Sequence, residues 1–104
     1  MFLNHYETIY ILKPDVTESQ NLFIVNHYKS LIKKHGGKNI SVQHRGKRHL
    51  SYSIKDFYDG IYVQMNYSAN GYLIQLLDKS MKFNDDIIRH LNVKQELLDT
   101  ISIY

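Results

Sequence analysis

Seventeen consecutive residues, 39–55, keep a period-two rhythm that only extended backbone turns into two distinct faces. The even positions Ile40, Val42, His44, Leu50, Tyr52 and Ile54 are mostly apolar. The odd positions Asn39, Ser41, Gln43, Arg45, Lys47, His49, Ser51, Ser53 and Lys55 are all polar. Successive strand side chains point to opposite faces, so the pattern predicts one long strand with a single wet face. On that face Arg45, Lys47 and His49 would project to one side at intervals of roughly 6.6 Å, two strand residues apart. Gly46 and Arg48 interrupt the even set, which predicts a bulge or bend near Gly46.

A strand of this length needs partners, and the flanking segments supply them. His5–Lys13 is rich in Tyr, Thr and Ile and apolar on both faces, as a central strand would be. After Pro14, Thr17 with Gln20 three residues on makes a capping-box pattern. Ile24, Val25, Tyr28, Leu31, Ile32 and His35 then recur at helical spacing until Gly36-Gly37 ends the helix. Asp59-Gly60 is a turn signal, followed by a strand in which Ile61, Val63, Met65 and Tyr67 alternate with Tyr62, Gln64 and Asn66. Asn70-Gly71 opens a second helix striped by Leu73, Leu76, Leu77, Ser80 and Met81. Asn84-Asp85 breaks it, Ile87–Lys94 forms a last strand, and the segment from Gln95 to Tyr104 shows no clear pattern.

The order strand, helix, strand, strand, helix, strand, joined by right-handed crossovers, places the first and third strands centrally. The expected class is α+β, a ferredoxin-like βαββαβ sandwich. Its four-stranded antiparallel sheet carries two helices, near 17–35 and 70–82, on one face and leaves the other open. Ile24, Tyr28, Leu31, Ile32, Val63, Met65, Leu73, Leu76 and Leu77 are the expected core between the layers. With 104 residues the chain fits one domain, 1–104, ordered over about 5–95 with a short C-terminal tail.

This architecture hosts enzymes, RNA-recognition modules and docking domains alike, so function has to be argued from side chains. There is no cysteine, which removes disulfide scaffolds, thiolate metal sites and cysteine nucleophiles. The longest apolar runs are four residues, so nothing reads as a membrane span or a signal peptide. The six histidines are scattered without metal-ligand spacing, and only His5 lies close to a carboxylate, Glu7. Lys13-Pro14-Asp15-Val16 lacks the glycines and arginine of an acylphosphatase-like phosphate cradle. Asp85-Asp86 suits a turn and cap better than an acid–base pair. No catalytic site, metal or cofactor is expected.

Charge is more informative. The net charge is +3, yet no Asp or Glu occurs from Ser19 to Lys55, where eight basic residues fall. These are Lys29, Lys33, Lys34, Lys38, Arg45, Lys47, Arg48 and Lys55, and the rest of the chain is net acidic. Such segregation suits a polyanion-binding face, although Lys and Arg on edge strands also serve to block sheet-to-sheet aggregation. The third strand, Gly60-Ile61-Tyr62-Val63-Gln64-Met65, lacks the paired aromatics of a base-stacking RNA-recognition motif. The expected contact is therefore phosphate binding along the second strand, with little base readout.

Gly46-Lys47-Arg48-His49-Leu50-Ser51-Tyr52-Ser53-Ile54-Lys55 resembles the signature of the bacterial and plastid small-subunit ribosomal protein S-six family. Tyr6-Glu7 through Pro14-Asp15, the Gly36-Gly37 helix end, and Phe83-Asn84-Asp85 with Ile88-Arg89 resemble further family segments in order along the chain. Ser53 stands where proline is common in the family, and the long acidic tail of some members is missing. The resemblance implies a non-enzymatic constituent of the small ribosomal subunit. It would bind the central domain of ribosomal RNA as a heterodimer with ribosomal protein S-eighteen, which would cover the open sheet. The residues expected on RNA are Arg45, Lys47, Arg48, His49, Lys55 and Arg89, the last alternatively paired with a carboxylate such as Asp85. Asn, Ile, Lys and Tyr supply 39 of 104 residues, types with AT-rich codons, which favours a plastid copy over a bacterial one. A stand-alone regulatory or enzymatic domain for a small anionic ligand is the rival from another class. A cradle of backbone amides at a helix start would distinguish it, and a protein-only docking module would bind with little dependence on salt.

Overall fold

The computed structural model describes residues 3–95, so the unpatterned tail lies outside the described residues. The elements run β1 (Asn4–Leu12), α1 (Glu18–Lys34), β2 (Lys38–Ile54), β3 (Phe57–Ala69), α2 (Gly71–Lys82) and β4 (Ile87–Gln95). The sheet order is β2-β3-β1-β4 with every pair antiparallel, so β1 and β3 are central as expected. Both helices pack on one face, where Ile24, Tyr28 and Ile32 of α1 meet Leu73, Leu77 and Met81 of α2 over Tyr10, Val63 and Met65.

The helix boundaries follow from their caps. Thr17 accepts the Gln20 backbone N–H at 3.2 Å while the Gln20 side chain accepts from the Thr17 N–H at 2.9 Å, the reciprocal box the sequence predicts. At the other end Gly36 sits at φ +87°, and the Gly37 N–H donates to the Ile32 carbonyl at 2.7 Å, closing α1. Asn70 caps α2 by accepting from the Leu73 N–H at 2.9 Å.

On the helix-facing side of the sheet one polar chain is buried among the apolar groups. The Tyr67 hydroxyl and the Thr8 hydroxyl lie 2.6 Å apart, and Thr8 donates to Asn92 at 2.7 Å, linking β3, β1 and β4. Thr8 is fully buried, so the chain satisfies a hydroxyl that would otherwise cost about 1–3 kcal/mol to bury.

Two core expectations need correction. Leu31 and Leu76 are only half-buried, because the buried stripe of α1 is Ile24, Val25, Tyr28 and Ile32 and that of α2 is Leu73, Leu77 and Met81. Leu76 lies one position round the helix from that stripe and shares its flank with solvent. The hairpin turn also moves. Asp59-Gly60 lies inside β3, and the chain reverses at Lys55-Asp56, with Ile54 opposite Phe57. Both turn residues have positive φ, +51° and +68°, the pattern of a two-residue type I′ hairpin usually met by Asn-Gly. Gly60 is a glycine for another reason: a Cβ there would collide with the Ile11 side chain and sit 3.3 Å from the Leu12 carbonyl.

Candidate nucleic-acid interface

The bulge expected at Gly46 is present, and it redistributes the cations of β2. His44 pairs with Val63 and Gly46 with Tyr62, leaving Arg45 as the extra residue. Gly46 sits at φ +80°, a conformation that glycine adopts without a side-chain penalty. One inserted residue exchanges the two faces for everything after it. Ile40 and Val42 therefore pack toward the helices, whereas Leu50 packs on the open face with Ile11 and Ile88.

The expectation that Arg45, Lys47 and His49 share one side is thus corrected. Arg45 lies on the open face, where its Nε and Nη2 donate to Gln64 Oε1 at 3.3 and 2.9 Å. Gln64 in turn donates to Glu7 at 2.5 Å. Arg48 is on the same face, with its guanidinium 5.9 Å from the Tyr62 ring centroid and its Nε donating to the Arg45 carbonyl at 3.4 Å. Lys47 is opposite Ile61 and borders a groove with Pro14, Val16 and Leu22 on the helix side. His49, opposite Asp59, is on that side too, with Nδ1 3.0 Å from the Asp59 carboxylate.

Lys55 stands at the hairpin apex. Arg89 reaches the open face from β4 opposite Ile11, and its Nη1 donates to the Tyr52 hydroxyl at 3.2 Å. That bond replaces the expected alternative, a pair with Asp85. Among the described residues no carboxylate lies within ion-pair distance of Arg45, Lys47, Arg48, Lys55 or Arg89, and the two ion pairs found both involve histidine.

Pattern-reading missed the floor of the open face. Ile9, Ile11, Leu50, Tyr52, Ile54, Tyr62 and Leu91 line a groove of about 290 Å³ beside Arg89. Tyr52 and Leu91 are 64% and 58% exposed, more than a covered sheet face would leave. Counting parity from Gly46 onward, rather than through it, places Leu50, Tyr52 and Ile54 there.

No group of three or more His, Asp or Glu able to hold a metal occurs among the described residues. At the helix starts one N–H each, of Gln20 and of Leu73, is taken by the caps Thr17 and Asn70. Burial pushes the Tyr67 hydroxyl up to about 12, partly offset by its bond to Thr8, and raises Tyr10 further. Both are interior groups beneath the helices.

Comparison with known proteins bears on the fold and the family. Residues 5–94 match the family described as Ribosomal protein S6. The small ribosomal subunit protein bS6c of the alga Gracilaria tenuistipitata var. liui is 54% identical over 99% of this chain and all of its own length. The bacterial protein bS6 of Cyanothece is 45% identical over 91% of this chain and 90% of its own. The crystal structure of 30S ribosomal protein S6 from Thermotoga maritima superposes with a TM-score of 0.86 at 26% identity, covering 97% of this chain and 95% of that one. A two-layer βαββαβ sandwich and a match spanning nearly every described element converge: the chain belongs to the ribosomal protein S6 family, non-enzymatic components of plastid and bacterial ribosomes.

Proposed function

We propose that this structural protein of the small ribosomal subunit binds the central domain of ribosomal RNA by phosphate contacts, as a heterodimer with ribosomal protein S-eighteen, in a plastid ribosome. The observation that carries the proposal is the set Arg45, Lys47 and Arg48, exposed on an edge strand with no carboxylate partner among the described residues. Cations left unpaired at an exposed edge suit a polyanion whose phosphates replace their counterions. Lys55 at the apex and Arg89 on the open face extend the set. His49 contributes less, because Asp59 already holds it.

The protein partner belongs on the open face. Leu91 and Tyr52 lie exposed there beside a groove floored by Ile11 and Leu50. Covering that groove would complete a third layer that the described residues do not supply. A small-anion regulatory domain is disfavoured because the helix starts are capped by the chain's own side chains.

The test is binding of the reconstituted pair to central-domain ribosomal RNA across a salt series. The affinity should fall linearly on a double-logarithmic plot, by about 0.7–0.9 per phosphate contact. Omitting the partner should weaken binding. An affinity indifferent to salt would overturn the phosphate-contact role, and equal binding without the partner would overturn the heterodimer.

A further inference from the structure

The Gly46 bulge divides the cations of β2 between the two faces of one edge strand, and that division says what shape of RNA the edge fits. From the geometry of this edge we propose that β2 around Gly46 seats in the minor groove of an RNA duplex. Arg45 and Arg48 then meet phosphates of one strand and Lys47 meets phosphates of the other. The proposal rests on the RNA-binding role above and specifies the structure that is bound.

Three features of the edge support it. First, the charges straddle the strand. Arg45 and Arg48 are fixed on the open face by Gln64, the Arg45 carbonyl and the Tyr62 ring, while Lys47 projects on the helix side beside Pro14, Val16 and Leu22. Successive strand side chains point to opposite faces, so these two groups carry their charges on opposite sides of the sheet. A single backbone lying along one face of the sheet would meet only one of the two groups. Two phosphate backbones with a gap between them meet both.

Second, the gap would be filled by β2 itself. Among the described residues β2 is the outer strand of the sheet, and its outward N–H and C=O groups have no strand partner there. The minor groove of A-form RNA is wide and shallow and displays 2′-hydroxyls, each both donor and acceptor. A free strand edge offers the complementary alternation. Third, the centre of this edge is Gly46, and the space where its Cβ would stand has no atom within 4 Å. The backbone is therefore accessible at the point between the two charged groups, as close approach to a ligand requires.

A single strand stacked on the open face fits less well. The Tyr62 ring on that face already has Arg48 over it, and Lys47 would face away.

The chain contains no cysteine, so Gln43→Cys on the open face and His44→Cys on the helix side each create a unique attachment point for an iron-EDTA cleavage reagent beside the charged groups. Both positions are exposed, so the fold tolerates the changes. Each tethered protein is assembled with the partner protein and central-domain ribosomal RNA, and the strand breaks are mapped. The expected result is cleavage on opposite strands of one helix, one strand for each position. Cleavage of the same strand from both positions, of two separate helices, or only of unpaired RNA would overturn the proposal. As a second measurement, 2′-deoxy substitution across the cleaved helix should weaken binding roughly tenfold through lost edge hydrogen bonds, and unchanged affinity would also overturn it. If the unmodified pair fails to bind this RNA at all, the RNA-binding role itself falls, and the groove assignment with it.

Discussion

Replacing Gly60 by alanine tests whether the floor of the open face is packed as described. The added Cβ would meet the Ile11 side chain well inside contact distance, the Leu12 carbonyl at 3.3 Å and the Ile88 Cδ1 at 3.7 Å. Ile11 cannot swing aside easily, since it is 7% exposed and held by Leu50 and Ile88. Overpacking of a filled site costs about 1–3 kcal/mol. For a domain near 100 residues that lowers Tm by roughly 4–15 °C. Ile11→Ala alone should also destabilise, by about 2–5 kcal/mol, because it leaves a cavity. Combined, the two changes should cost at least 1 kcal/mol less than their sum, since the new methyl enters the space that Ile11 vacates. Urea unfolding followed by circular dichroism measures all three variants. A Gly60→Ala protein as stable as the parent, or a strictly additive double variant, would refute the close approach of β3 to Ile11.

Leu77→Ala should cost about 2–5 kcal/mol and Leu76→Ala clearly less, because Leu77 is fully buried and Leu76 is not; denaturant midpoints separate them. Replacing Lys55-Asp56 by Asn-Gly should raise stability by about 1 kcal/mol, since both residues hold positive φ, while weakening RNA binding if Lys55 touches phosphate. Lys47→Ala should flatten the salt slope of RNA binding by about one unit across many sequences, and a slope left unchanged would place Lys47 away from phosphate. The contribution of the two buried tyrosines to stability should be level up to about pH 10 and fall above it. Folding raises the pKa of Tyr67 to about 12, so the unfolded chain releases that proton first and is favoured as pH rises from 10 toward 12. Tyr10 is shifted in the same direction, and denaturant midpoints at pH 8 and pH 11 measure the combined effect.

Much of this architecture is legible in the sequence because local and global preferences agree. Thr17 with Gln20, Gly36-Gly37 and Asn70 mark helix ends by hydrogen-bonding rules that need no tertiary information. The apolar character of both faces of β1 likewise identifies a central strand. The missed features are those where tertiary contacts override a local signal. Asp59-Gly60 looks like a turn, yet Gly60 is there to admit Ile11, and the real turn uses a pair with no glycine. Along β2 the alternation is real, but the bulge at Gly46 and a second register shift between His49 and Ile54 mean that equal parity does not mean equal face. The cations expected on RNA are all exposed, whereas the side each occupies depends on counting through an irregularity that a sequence only hints at.

Among the described residues the sheet has helices on one side only, which leaves a slab two layers thick. Anything that settles on the bare side and ignores the unfolded chain adds RT ln(1 + [L]/Kd) to the free energy of unfolding, about 2.7 kcal/mol at a hundredfold excess over Kd. The melting temperature thus becomes a gauge of occupancy that needs no label. The same linkage bears on turnover. A copy with its groove filled opens less often than a solitary one, and proteases that act on the opened chain remove the solitary copy first. An uncovered face therefore lets the lifetime of the protein report whether it has been assembled.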